Sequence, residues 1–248
     1  MTISLSDAGK RFNREWIFRH ITYTFDSGNS YAIIGPNGSG KSTLLQVISG
    51  SMHFNEGTVQ YAVGSRQSAV GSQQLAVGSQ QLAVGSRQSV VGSQQSSGSS
   101  PSSAIHQPSS IPAEEIYKHV SYCAPYLEVV EEMTFKEFLE FHSGFKPFLK
   151  EATIDSIIAT VGLEAAANKQ IRYYSSGMKQ RVKLAQCIFS DTGIVLLDEP
   201  CTNLDTAGID LYHQLIETYC KDRLVIVSSN DEVEYRFCRE KLMMSNYK

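Results

Sequence analysis

Apolar residues fall in short runs through the first quarter of the chain, at 3–5, 21–25, 31–34 and 58–61, with Gly28 and Gly57 at the breaks. Runs of this length bounded by turn formers predict strands. One helix interrupts them, over about 41–49, and Gly50 closes it. Further on, Thr134 and Glu137 have the spacing of a capping box before Phe138, Leu139 and Phe141. A second helix is predicted at about 151–161, where Ile154, Ile157, Ile158 and Val161 share one face. Apolar strand patterns return at 193–198 and 224–228, separated by a helical stretch over about 207–219. Strands alternating with helices predict an α/β core with a mainly parallel sheet.

Residues 62–110 break this pattern. A seven-residue unit recurs as AVGSRQS, AVGSQQL, AVGSQQL, AVGSRQS and VVGSQQS, and a Ser/Pro-rich stretch follows. A coiled-coil seam needs two large apolar positions three and four apart, whereas here Ala and Val are adjacent and Gly recurs in every unit. Gly, Ser and Gln bury too little apolar surface to offset ordering the backbone, at about 1–2 kcal/mol per residue. The expectation is a disordered low-complexity insertion within one domain spanning 1–248.

Composition narrows the function classes. The chain has 248 residues, 42% of them hydrophobic and 19% charged, enough for one good-sized core. A formal net charge of -3 supplies no basic footprint, so nucleic acid is not an expected partner. No run approaches the roughly 18–20 apolar residues that span a bilayer. Asp7, Lys10 and Arg11 stand where a secretory signal needs an apolar core, so a cytoplasmic protein is expected. The five cysteines have no metal-ligand spacing and read as reduced, mostly buried thiols.

Candidate chemistry begins at Gly35-Pro36-Asn37-Gly38-Ser39-Gly40-Lys41-Ser42-Thr43, after one apolar strand and at the start of a helix. In that context glycines let backbone N–H groups turn toward phosphate oxygens, and the helix adds its positive dipole end. Lys41 would neutralise the β- and γ-phosphates and the Ser42 hydroxyl would ligate Mg²⁺. A second feature is the apolar strand 194–198 ending in Asp198-Glu199-Pro200. Asp198 is placed to hold the Mg²⁺ shell, and Glu199 can face an attacking water. Between these lies Tyr174-Ser175-Ser176-Gly177-Met178-Lys179-Gln180-Arg181, opening a helix to about 189.

In this order the motifs resemble those of the ABC ATPase family: GPNGSGKS as Walker A, YSSGMKQR as signature, IVLLDEP as Walker B, and TNLD at 202–205 as the D-loop with Asp205. The resemblance covers nearly the whole chain outside the insertion. It implies a P-loop NTPase core, an antiparallel β subdomain, and a helical signature subdomain at 126–190. It also implies ATP as substrate with Mg²⁺, and two domains paired head to tail. In that dimer Ser175, Ser176, Gly177 and Met178 of one protomer would close over the other's Walker A. Phe12 matches the family's aromatic that stacks on adenine, with Trp16 a nearby competitor for that role. The sequence departs from the family at four points. Ala124-Pro125-Tyr126 lacks the Q-loop glutamine, Asn230 stands at the switch histidine, Ser176 replaces glycine and Met178 replaces glutamine. Asn230 can hydrogen-bond a γ-phosphate oxygen but carries no charge.

The function this implies is the ATP-hydrolysing subunit of an ABC transporter, a homodimer or heterodimer. It would sit peripherally on the inner face of the cell membrane through a separate transmembrane permease. A nucleotide-sensing regulator with weak ATPase activity is the alternative, since the missing glutamine and histidine bear on turnover. The transported substrate is chosen by the partner and is not written in this chain.

Overall fold

The structure, a computed structural model, describes residues 1–63 and 109–248. Five parallel strands form the centre in the order β6-β7-β8-β3-β9: β3 is Ser30–Ile34, β6 Val120–Cys123, β7 Ile194–Asp198, β8 Leu224–Ser229 and β9 Glu240–Met243. All their pairings are parallel. Both faces of the sheet are covered, which is why β7 and β8 open as apolar runs, 194–197 and 224–227. Alternate residues face opposite cores. Ile194, Leu196, Leu224 and Ile226 join one, and Val195, Leu197, Val225 and Val227 join the other. Each of these side chains contributes about 1.5–3 kcal/mol by burial.

The first core is closed by helix α1 (Lys41–Ile48) and a four-stranded antiparallel sheet in the order β2-β1-β4-β5, where β4 is Glu56–Val63 and β5 Ser109–Ile111. Its strands β1 (Thr2–Phe12) and β2 (Glu15–Asp26) are more than twice as long as their apolar runs suggest. The polar segment Ser6-Asp7 that ends the apolar alternation is absorbed by a register shift between Leu5 and Ala8. At that bulge Asp7 and His20 take left-handed φ of 51° and 61°, and their side chains meet at 2.7 Å.

The second core is closed by α2 (Phe135–Ser143), α3 (Ile154–Thr160), α4 (Ser176–Phe189) and α5 (Thr206–Tyr219). The capping box of α2 is formed: the Glu137 amide donates to Thr134 Oγ1 at 3.2 Å, and the Thr134 amide donates to Glu137 Oε2 at 2.9 Å. Helix α3 begins later than the sequence pattern suggests because Thr153 and Ser156 form a second capping box. A short helix, α6 (Glu232–Tyr235), follows β8.

The insertion's expected bounds shift inward. Ala62 and Val63 belong to β4 (Glu56–Val63), and Ser109 and Ser110 to β5 (Ser109–Ile111). These strands pair antiparallel, Ala62 with Ser110 and Val63 with Ser109. β4 pairs with β1 on its other side, so it offers the polar Ser-Ser segment a partner strand that the sequence does not advertise. The remainder of the heptapeptide repeat lies outside the described residues. Among the described residues no helix is long and apolar enough to cross a membrane.

Candidate active site

Parallel strands place the ends of β3, β7 and β8 side by side, and the loops leaving them converge. The loop from β3 runs Gly35 to Gly40 into α1. Gly38 and Gly40 take φ of 77° and 96°, a region that side chains strain against. A Cβ on Gly40 would also lie 2.5 Å from Ile17 Cγ2, so glycine is required twice over. Because Gly40 is the N-cap of α1, no side chain caps that helix, and its first-turn amides face the cleft without a side-chain acceptor.

Lys41 is 5% exposed, and its Nζ donates to the carbonyls of Gly35 at 2.8 Å and Pro36 at 3.3 Å. Ser39 is buried and its hydroxyl has no hydrogen-bond partner. Asp198, at the end of β7, is 1% exposed, and its Oδ1 likewise has no partner. Burial pushes the Asp198 carboxyl above the usual carboxylate range, while the Ser42 and Ser228 hydroxyls and the Lys41 charge oppose that shift. A buried carboxylate oxygen without a partner, beside a serine hydroxyl and at the phosphate loop, fits a hard divalent cation that takes its other ligands from phosphate and water.

Glu199 adopts φ 44°, strained for a non-glycine residue, and its amide donates to the Ser228 carbonyl at 2.9 Å. The segment after it is held from two sides. Gln180 Nε2 donates to the Pro200 carbonyl at 2.7 Å, and the Cys201 amide donates to Glu234 Oε1 at 2.7 Å. Glu199 lines a cleft of about 330 Å³ with Ile17, Asn37, Lys41, Ser42 and Thr43. From the end of β8, Asn230 Nδ2 donates to Asn37 Oδ1 at 3.3 Å. The phosphate loop, Asp198, Glu199 and Asn230 are therefore one constellation.

Other expected residues stand apart from it. Ser175, Ser176, Gly177 and Met178 line a separate hollow of about 440 Å³ with Asn203, Leu204 and Asp205, which shares no residue with the cleft. There Ser175 Oγ caps α4 by accepting from the Met178 amide, and Asp205 Oδ1 caps α5 by accepting from the Gly208 amide at 2.8 Å. A Cβ on Gly177 would lie 2.9 Å from the Asn203 carbonyl oxygen, so signature and D-loop segments meet backbone to backbone. Phe12 is 45% exposed at the tip of the β1–β2 hairpin, with Lys10 Nζ 5.2 Å from its ring centre. It does not line the cleft, and Ile17 does.

Three residues escape a reading by motif. Ile17 carries no chemistry that a sequence search would flag. Gln46 lies four residues after Ser42, hence on the same helix face, and its Nε2 donates to the Tyr126 hydroxyl at 3.0 Å. Lys183 Nζ donates to the Pro125 carbonyl at 2.8 Å. Tyr126 also shares a hydrogen bond with the Tyr122 hydroxyl. The loop lacking the family glutamine is thus fixed from α1 and from α4.

The family model described as ABC transporter matches residues 18–202. An uncharacterized ABC transporter ATP-binding protein of Bacillus subtilis, YybJ, is 25% identical over 92% of this chain and 85% of its own length. An ABC transporter ATP-binding protein from Pyrococcus furiosus has a similar fold, with a TM-score of 0.70 at 19% identity over 100% of both chains. A dimeric ATP-binding cassette in a post-hydrolysis state bound to ADP and Pi gives a TM-score of 0.69 at 18% identity, covering 97% of this chain and 93% of that one. With its phosphate loop, acidic strand end and signature helix all in the family's order, the chain belongs to the ABC transporter family, as an ATP-binding cassette and an ATPase.

Proposed function

We propose that this chain is the motor subunit of an ABC transporter, coupling ATP-driven closure of a cassette dimer to a separate transmembrane permease. The observation that carries the reading is the convergence of Lys41, Asp198, Glu199 and Asn230 at adjacent strand ends. In this reading the loop amides of 35–43 and Lys41 bind the phosphates of ATP, and Ser42 and Asp198 hold Mg²⁺. Mg²⁺ supplies charge neutralisation of the phosphates when bound. Glu199, tilted into the cleft by its left-handed backbone, polarises the attacking water, and Asn230 hydrogen-bonds a γ-phosphate oxygen.

The hollow formed by the signature and D-loop supports a dimeric reading, because Ser175 to Met178 share no lining residue with this protomer's own cleft. A second protomer turned head to tail would lay its Ser175 and Gly177 over the nucleotide. That a solved cassette of similar fold is dimeric supports a dimeric reading.

One observation favours a second reading, a nucleotide-responsive regulator with slow turnover. Ala124-Pro125-Tyr126 stands where the family has its glutamine and Asn230 where it has histidine; the Pro125 carbonyl accepts from Lys183, and the Asn230 amide donates to Asn37. Glu199→Gln tests the main reading. ATP should still bind, hydrolysis should fall about a hundredfold or more, and light scattering with Mg-ATP should register an ATP-bound dimer. Equal rates in parent and variant would remove Glu199 from the mechanism. A parent as slow as the variant would favour the regulator. Retention of a multi-spanning protein through detergent purification of the tagged chain tests the permease, and its absence would exclude a stable complex.

A further inference from the structure

A cavity of about 520 Å³ lies apart from the phosphate-loop cleft. It opens beside Ser30 and Val225, the beginnings of β3 and β8, whereas the phosphate loop leaves the opposite end of β3. A cavity of this size is within the range of small-ligand sites.

Its lining is strongly one-signed. Lys221, Arg223, Arg236 and Arg239 contribute four cations, and Glu217 is the single acid. Arg223 is 8% exposed, and its guanidinium donates only to neutral acceptors. Nε reaches the Thr192 carbonyl at 2.7 Å, Nη1 the Ile188 carbonyl at 2.6 Å, and Nη2 the Ser190 carbonyl at 3.0 Å and Thr192 Oγ1 at 2.7 Å. Among the described residues none of these four cations forms an ion pair. Buried charges are ordinarily paired, so a guanidinium held rigid without a counter-charge favours an anion nearby. Arg236 and Arg239 are exposed and free to reach one, and Arg forks match the oxygens of phosphate and carboxylate groups. His213 stands in the same wall, and its Nε2 is buried without a hydrogen-bond partner.

We propose that this cavity is a second ligand site that binds a small soluble anion bearing phosphate or carboxylate groups, distinct from the ATP cleft. Arg223 forms its fixed floor, and Arg236, Arg239 and Lys221 supply the mobile contacts. The inference rests on this chain's own lining and is independent of the transporter reading.

Isothermal titration with citrate and with inorganic phosphate tests it, on protein first saturated with a non-hydrolysable ATP analogue. Saturable binding of one anion per chain, at about 1 mM or tighter, is expected for at least one probe. Arg236→Gln combined with Arg239→Gln should weaken it about tenfold or more, while the melting temperature stays near the parent's because both side chains are exposed. The proposal is overturned if neither probe binds or if the double variant binds as tightly as the parent.

Discussion

At the scale of single residues, the site depends on charges held where ATP's phosphates would lie. Lys41 is almost fully buried, and its ammonium touches only backbone carbonyls. Lys41→Ala removes a charge-assisted contact of about 1.5–3 kcal/mol, so ATP affinity should fall at least about tenfold in a calorimetric titration. Unchanged affinity would dissociate the loop from nucleotide binding. The sequence exposes this part of the site because glycines, Lys41 and Ser42 are contiguous, and their spacing is itself the geometry. Ile17 and Gln46 stay hidden because they reach the site by tertiary packing. Phe12 matches a family pattern by position, and in the fold it is exposed at the tip of the β1–β2 hairpin.

At the scale of elements, α2 and α4 are joined by a hydrogen-bond chain that requires a neutral imidazole. Gln186 Nε2 donates to His142 Nδ1 at 3.1 Å, His142 Nε2 then donates to Ser190 Oγ at 2.9 Å, and Ser190 Oγ donates to the Gln186 carbonyl at 2.6 Å. Burial, aided by the Lys146 charge, lowers the His142 pKa from 6.5 to about 4. Between those values the unfolded chain takes up a proton that the folded chain refuses, so this group costs stability as pH falls from 6.5 toward about 4. Melting temperature should decline over that window, and His142→Gln should flatten the decline. An equally steep slope in the variant would assign it to other groups. Element type was legible wherever local signals agreed. The capping box at Thr134 and the strand β7, apolar up to Asp198, are found where the sequence puts them. Edge strand β9 was not legible, because Glu240 and Lys241 face solvent and its pairing partner, β3, lies some two hundred residues away.

At the scale of the whole molecule, the two described residues that flank the heptapeptide segment, Val63 and Ser109, are paired neighbours on β4 and β5. Replacing residues 64–108 by a short Gly/Ser turn closes a hairpin already in register. Loop-closure entropy grows only with the logarithm of length, so the replacement is worth about 2 kcal/mol of added stability at most. The melting temperature should hold or rise by a few degrees, with ATP affinity unchanged. A fall of more than about 5 °C would mean that the repeat packs on the core.

That pairing of the flanking residues also bears on inheritance. Each repeat unit is a whole number of codons, so slippage during replication adds or removes units without a frameshift. Because the two strands stay hydrogen-bonded to each other whatever lies between them, such changes leave the register of the antiparallel sheet alone. The segment can therefore vary in copy number between closely related genomes while the catalytic framework on either side stays under selection.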